Sequence, residues 1–133
     1  MSESWLEIGQ NAILQEAGAL SSLADCLDEN FSLACELLVH CSGTVVLTGM
    51  GKSGLVARKW ASTFMSTGTR AYFLSPAEAS HGDLGLLREG DILVALSASG
   101  ETEELRPVIQ YAQENRVPYI AVTQNSHSSL AKT

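Results

Sequence analysis

The chain has 133 residues, of which 45% are hydrophobic and 17% charged, a composition typical of one globular domain. Eight basic and fifteen acidic residues give a formal net charge of −7, which argues against binding of nucleic acid or anionic membrane through bulk electrostatics. No apolar run reaches the roughly 18 residues of a membrane span, and the N-terminus lacks the features of a signal peptide, so we expect a cytoplasmic location.

Two helices are predicted in the first 43 residues. Apolar residues recur at helical spacing from Trp5 to about Leu27, and a second apolar face begins at Phe31, directly after the predicted cap Asn30. This second helix is expected to stop near Ser42 and Gly43. We therefore expect residues 1–43 to be helices packed on a following region, residues 44–133, with one domain overall.

Four short apolar or β-branched runs then alternate with segments of helical period. These runs are "TVVLTG", "AYFLS", "DILVALS" and "PYIAVT". Strands that alternate with helices predict an α/β fold with a parallel sheet and helices on both faces, a three-layer sandwich.

Each predicted strand is followed by a polar, glycine- or hydroxyl-rich cluster. The clusters are "GMGKSG" (residues 49–54), "SPAEASHGDLG" (75–85), "SASGET" (97–102) and "TQNSHSS" (123–129). Because the carboxyl ends of parallel strands share one edge of the sheet, the four clusters are expected to line one pocket.

The first cluster resembles two known phosphate-binding loops only in part. It lacks the spacing of a P-loop, and although Gly49, Gly51 and Gly54 fit the dinucleotide pattern GxGxxG, no acidic residue ends the second strand to bind a ribose. We expect these glycines to let backbone approach a ligand. Lys52, set among them at a helix start, is predicted to contact that ligand, the alternative being a solvated surface lysine.

The third cluster allows two interpretations. Its hydroxyls satisfy the free N–H groups of a first helical turn, or those groups and the helix dipole receive a phosphate. The carboxylates of Glu101, Glu103 and Glu104 stabilise the helix dipole, and one of them placed near a sugar carbon would serve as a proton-abstracting base.

A metal site is not expected. Glu78, His81 and Asp83 lie within six residues, but no second ligand cluster supports them, and Glu78 and His81, three residues apart, are the right distance for a side-chain pair. The three cysteines at positions 26, 35 and 41 form no CxxC pair, so we expect three buried thiols.

Three stretches together resemble a known family. "GMGKSG", "STGTRAYFLSPAEASHGDLG" and "SASGETEEL" are similar, in order and spacing, to the sugar isomerase (SIS) domain, and within it to arabinose 5-phosphate isomerases of the KdsD, KpsF and GutQ type. The resemblance runs from about Ala12 to the last residues. It implies a flavodoxin-like sandwich, a homotetramer, and reversible conversion of D-ribulose 5-phosphate to D-arabinose 5-phosphate, which feeds synthesis of Kdo for lipopolysaccharide and some capsules.

The resemblance also implies roles for individual residues. Lys52, His81 and Glu104 match active-site positions, and His81 is expected to serve a neighbouring subunit. The phosphate-binding positions are Gly51, Ser53, Ser97, Ser99 and Thr102. Aldose–ketose isomerisation needs a base that moves a proton between C1 and C2 through an enediol, together with groups that polarise the carbonyl, and no cofactor.

The sequence departs from the family pattern at two positions and in length. Leu55 and Ser75 stand where histidines are usual, and the family places a fifth strand and a further histidine beyond Thr133. We therefore expect the 133 residues alone to be weakly active or inactive. A non-catalytic sugar-phosphate sensor and an inactive fragment remain as alternatives.

Overall fold

The first two helices match the prediction except at their ends. The computed structural model describes residues 4–132, in which α1 spans Trp5–Ala24 and α2 spans Glu29–Val39. The predicted cap Asn30 is wrong: it lies inside α2, and its backbone N–H donates to the Asp28 carboxylate at 2.9 Å. Asp28, an equally good capping type, therefore begins the helix two residues earlier.

The four predicted strands are confirmed, each within one residue at either end. They are β1 (Val45–Gly49), β2 (Ala71–Leu74), β3 (Ile92–Leu96) and β4 (Tyr119–Val122). All pair in parallel in the order β2-β1-β3-β4, with Val45 opposite Ala71 on one side and Ile92 on the other. Every residue of β1 and β3 is buried, as expected of strands covered on both faces.

Helices cover both faces of this sheet, which confirms the predicted three-layer architecture. They are α3 (Gly51–Ser66), α4 (Pro76–Ala79), α5 (Arg106–Glu114) and α6 (Ser129–Lys132), with 3₁₀ turns at Asp83–Leu86 and Glu103–Leu105. Alternate strand residues point to opposite faces. Leu47 accordingly shares a core with Ala57 of α3, whereas Val46 shares another with Val108 of α5.

The chain divides into two compact units, Met1–Cys35 and Glu36–Thr133. No residue of α1 is buried, and Cys26 and Cys35 are exposed while Cys41 is partly buried, so the predicted burial of the first two thiols is wrong. Cys26 lies just beyond the end of α1 and Cys35 on the exposed side of α2. Packing of the first helices on the following region stays a prediction. Within residues 4–132, no helix combines the length and hydrophobicity that crossing a membrane requires.

The strand order creates one crevice in the sheet. After β1 the chain crosses to β2 on one side, and it then returns to place β3 on the other side of β1. Ligands of open parallel sheets bind at such a reversal, outside the carboxyl ends of the two central strands. The order also differs from that of the dinucleotide-binding fold, in which β3 would lie beside β2. The candidate site is therefore the pair of loops after β1 and β3.

Candidate functional site

In the loop after β1, glycines let the backbone pack closely against the end of β3 and against itself. A Cβ at Gly49 would lie 3.1 Å from the carbonyl oxygen of Leu96, the last residue of β3, and a Cβ at Gly54 would lie 2.6 Å from the carbonyl oxygen of Gly49. Gly51 has φ +56° at the first position of α3. The glycines thus hold the start of a 16-residue helix beside the end of β3.

The start of α3 offers unpaired donors at this crevice. Its N-cap residue, Met50, makes no side-chain capping bond, and its first turn carries no acidic residue. The N–H groups of a first helical turn have no partner inside the helix and carry the positive end of the helix dipole. Lys52 is exposed and Ser53 partly exposed in the same turn, so the helix start is suited to an anion.

The loop after β3 is ordered by its own hydroxyls. Ser97, only 3% exposed, accepts a hydrogen bond from the backbone N–H of Gly100 at 3.0 Å, and its Oγ lies 2.7 Å from Oγ1 of Thr102. Ser99 is exposed, and its Oγ accepts from the backbone N–H of Glu101 at 3.1 Å. Ser97 therefore stabilises the loop from its buried side, whereas Ser99 and Thr102 remain accessible to a ligand.

The segment after β4 holds this loop from the side. The carbonyl oxygen of Ala98 accepts from the backbone N–H of Gln124 and from Oγ1 of Thr123, each at 3.2 Å. The carbonyl oxygen of Gly100 accepts from the backbone N–H of Leu130 at 3.1 Å. The cluster at residues 123–129, which the sequence analysis placed at the pocket edge, thus supports the loop after β3.

Glu101 completes that support with a two-point contact. Its Oε1 accepts from the backbone N–H of Ser129 at 2.7 Å, and its Oε2 accepts from the Ser129 hydroxyl at 2.6 Å. The side-chain and then the backbone hydrogen bond from Ser129 lower the pKa of Glu101, with smaller contributions from Arg106 and Lys132. The carboxylate is therefore ionised and directed at the start of α6.

The three candidate catalytic residues lie on three different segments, each of which follows a different strand. Lys52 follows β1, His81 follows β2 and α4, and Glu104 lies in the turn Glu103–Leu105 that follows β3. All three are exposed. Among residues 4–132, none of the three forms an ion pair or a side-chain hydrogen bond with another. The fold thus places them at one edge of the sheet, with exposed side chains.

The His81 loop is anchored by Tyr72, a residue that no sequence motif marks. The hydroxyl of Tyr72 in β2 donates to the carbonyl oxygen of Leu86 at 2.7 Å. Burial, followed by the negative charge of Asp91, raises the pKa of Tyr72 to about 12. The suggested side-chain pair of Glu78 and His81 is not formed, because α4 ends at Ala79; the backbone N–H of His81 donates instead to the carbonyl oxygen of Glu78 at 2.9 Å.

A groove of about 370 Å³ adjoins the loop after β3. Its apolar lining comes from Leu105, Ile109 and Leu130. Gly100, Glu101 and Thr102 of that loop also line the groove, whereas Lys52 and His81 do not. Within the described part of the chain, no three His, Cys, Asp or Glu side chains lie close enough together to hold a metal ion.

Comparisons with known proteins identify similar sequences and structures. The family model of the SIS domain matches residues 38–133. The arabinose 5-phosphate isomerase KdsD of Escherichia coli K12 is 42% identical over 126 residues, which cover 95% of this chain and 38% of the relative. The chain thus spans about two fifths of the length of the curated relatives it matches.

Two solved structures share the fold closely. A protein of E. coli CFT073, in complex with arabinose 5-phosphate, superposes with a TM-score of 0.88 at 36% identity, covering 95% of this chain and 67% of that one. A Listeria monocytogenes protein assigned as a sugar-phosphate isomerase superposes with a TM-score of 0.90 at 33% identity, covering 98% and 71%.

Proposed function

The chain belongs to the SIS domain family, and from that premise we propose that it forms the sugar-phosphate site of an aldose–ketose isomerase. The proposed reaction interconverts D-ribulose 5-phosphate and D-arabinose 5-phosphate. The proposal agrees with the names of its relatives and with the sugar phosphate bound in the E. coli structure. Because this chain covers less than half of the curated relatives, the reaction is proposed for a full-length protein in which this chain is joined to the remainder that those relatives have.

The convergence of two loops at the reversal of strand order carries this proposal. The start of α3 supplies backbone N–H groups, Lys52 and Ser53, and the loop after β3 supplies the accessible hydroxyls of Ser99 and Thr102. A phosphate group carries a charge of about −1.5 to −2 near neutral pH and accepts several hydrogen bonds. These donors match it, and they lie where parallel sheets bind their ligands.

The proposed chemistry is a proton transfer through an enediol. Glu104 is the proposed base that removes the proton from C2 of the aldose and returns it to C1 of the ketose. Lys52 is proposed to stabilise the developing oxyanion, and His81 to move protons between the hydroxyl and carbonyl oxygens. C2 is oxidised from an alcohol to a carbonyl while C1 is reduced from a carbonyl to an alcohol, so the step is internally redox-neutral, needs no external oxidant or reductant and has no leaving group.

The proposed setting follows from the same family. The product feeds Kdo synthesis for lipopolysaccharide or capsule in the cytoplasm, and the small-molecule sugar phosphate is the ligand, with no nucleic acid, membrane or metal partner. The protein is proposed to be a homotetramer in which His81 enters a neighbouring subunit's site. Light scattering tests the tetramer. Mixing subunits that carry Lys52→Ala with subunits that carry His81→Ala restores activity only if the site is shared.

Proton NMR tests the reaction itself. The full-length protein, in the presence of EDTA, is expected to convert D-arabinose 5-phosphate to D-ribulose 5-phosphate. Glu104→Gln is expected to lower the rate by about 10²- to 10⁴-fold, the range of a general base. Glu103→Gln is the matched control, since this neighbouring carboxylate already pairs with Arg106 at 3.3 Å. Binding without any turnover in a folded, full-length protein would favour a sugar-phosphate sensor.

A further inference from the structure

Glu101 is an unexpected residue in a loop proposed to bind phosphate. It lies between two proposed phosphate contacts, Ser99 and Thr102, and its negative charge would repel the ligand at short range. In the structure the carboxylate does not stay with these hydroxyls, because both of its oxygens accept hydrogen bonds from Ser129, 28 residues further along the chain. The charge is thereby engaged by another segment of the protein.

The contact with Ser129 is strong by geometry. Both bonds are short, at 2.7 and 2.6 Å, and both have an ionised acceptor, the class that is about twice as strong as neutral pairs. The adjacent bond from the Leu130 N–H to the carbonyl oxygen of Gly100 ties the same two segments at a third point. Three bonds therefore join residues 100–101 to residues 129–130.

The contact reaches the proposed phosphate contacts through the backbone. The N–H of Glu101 donates to Oγ of Ser99, and the N–H of the preceding residue, Gly100, donates to Oγ of Ser97. Fixing the carboxylate of Glu101 on Ser129 therefore fixes the peptide groups that orient both serine hydroxyls, and Oγ of Ser97 in turn lies 2.7 Å from Oγ1 of Thr102. Gly100, with φ +70°, packs so closely on Ser128 that the loop has little room for a second arrangement.

We propose that Glu101 is a positioning residue for sugar-phosphate binding, which fastens the loop 97–102 to the segment after β4 and so presets the hydroxyls of Ser99 and Thr102. This inference rests on the proposed function. Glu101 acts through the loop and does not touch the ligand. A ligand that meets a preset loop does not have to order it, which lowers the cost of binding.

The test compares affinities for D-arabinose 5-phosphate by calorimetry, well below the unfolding temperature. Glu101→Ala is expected to weaken binding about five- to tenfold, and Ser129→Ala to weaken it in the same direction. Glu101→Gln is expected to retain near wild-type affinity, because its amide oxygen still accepts from the Ser129 N–H and its amide nitrogen donates to the Ser129 hydroxyl. Glu103→Ala, which removes a neighbouring exposed carboxylate, is expected to leave affinity unchanged.

Amide hydrogen exchange adds a readout that does not need the ligand. Glu101→Ala is expected to speed exchange at Ser129 and Leu130, and Glu101→Gln is not. Faster exchange with unchanged affinity in Glu101→Ala would mean that Glu101 only stabilises α6. That result would overturn this inference and leave the proposed function untouched. Equal losses of affinity in the Ala and Gln variants would also overturn it, because charge and not positioning would then matter. Failure of the wild-type chain to bind the sugar phosphate would instead overturn the proposed function, and the inference with it.

Discussion

The hydroxyls of Ser97 and Thr102 lie 2.7 Å apart and close the loop after β3 into a compact turn. Ser97 is buried and also accepts a hydrogen bond from the backbone N–H of Gly100, whereas Thr102 is partly exposed. The two residues therefore have different roles: Ser97 supports the loop from a buried position, and Thr102 keeps part of its surface accessible to a ligand. Direct contact of Ser97 with a phosphate stays a prediction.

Ser97→Ala is expected to destabilise the fold by about 1–3 kcal/mol, because it removes two hydrogen bonds at a buried position. Ser99→Ala is the matched control, and its exposed position is expected to limit the change to about 0.5 kcal/mol. Urea denaturation followed by circular dichroism measures both. Equal stabilities of the two variants would contradict the supporting role of Ser97.

Ser99→Ala is expected to weaken binding of the sugar phosphate. Its Oγ accepts from the Glu101 N–H, so the hydroxyl proton is available to a ligand oxygen. Loss of one hydrogen bond to a charged group costs about 1.5–3 kcal/mol, which corresponds to about 10- to 150-fold in affinity. Calorimetric titration with D-arabinose 5-phosphate measures this, and an unchanged dissociation constant would limit Ser99 to ordering the backbone.

Gly100→Ala is expected to be much more damaging than a glycine replacement in open space. The position has φ +70°, and an added Cβ would overlap the side chain of the fully buried Ser128. Gly68→Ala is the matched control: its φ is +95° and no atom lies near its added Cβ. Backbone strain of about 1–2 kcal/mol is common to both variants. A similar midpoint of thermal unfolding in the two variants would therefore show that the overlap with Ser128 does not destabilise the fold.

Tyr72→Phe is expected to loosen the loop that carries His81 and to change the response of stability to alkaline pH. The raised pKa of about 12 means that the folded chain keeps the hydroxyl proton at a pH where the unfolded chain, near 10, has lost it. This contribution is complete below about pH 10 and is lost as pH rises toward 12. Stability curves from pH 9 to 12 should therefore fall less steeply in Tyr72→Phe than in wild type, and curves of equal slope would contradict this role of Tyr72.

The sequence predicted the sheet well because short continuous apolar runs, such as Val45–Leu47, alternate with segments of helical period, the pattern of a parallel sheet that is covered on both faces. Helix ends were less predictable, since Asp28 and Asn30 are equally good caps two residues apart and only the structure distinguishes them. The location of the candidate-site loops could be predicted, because the carboxyl ends of parallel strands share one edge of the sheet. The hydrogen bonds that hold these loops in place could not be predicted, because the contact of Glu101 with Ser129 and that of Tyr72 with Leu86 join residues far apart in the chain.

The central claim is that the loops after β1 and β3 form one sugar-phosphate site, and amide chemical-shift mapping of this chain tests it most directly. Titration with D-arabinose 5-phosphate is expected to shift the amides of residues 51–53 and 99–102 together, with one dissociation constant. Titration with D-arabinose, which lacks the phosphate, should leave them nearly unchanged. Shifts confined to one loop, shifts confined to the groove beside Ile109, or equal shifts with the two sugars would contradict the account.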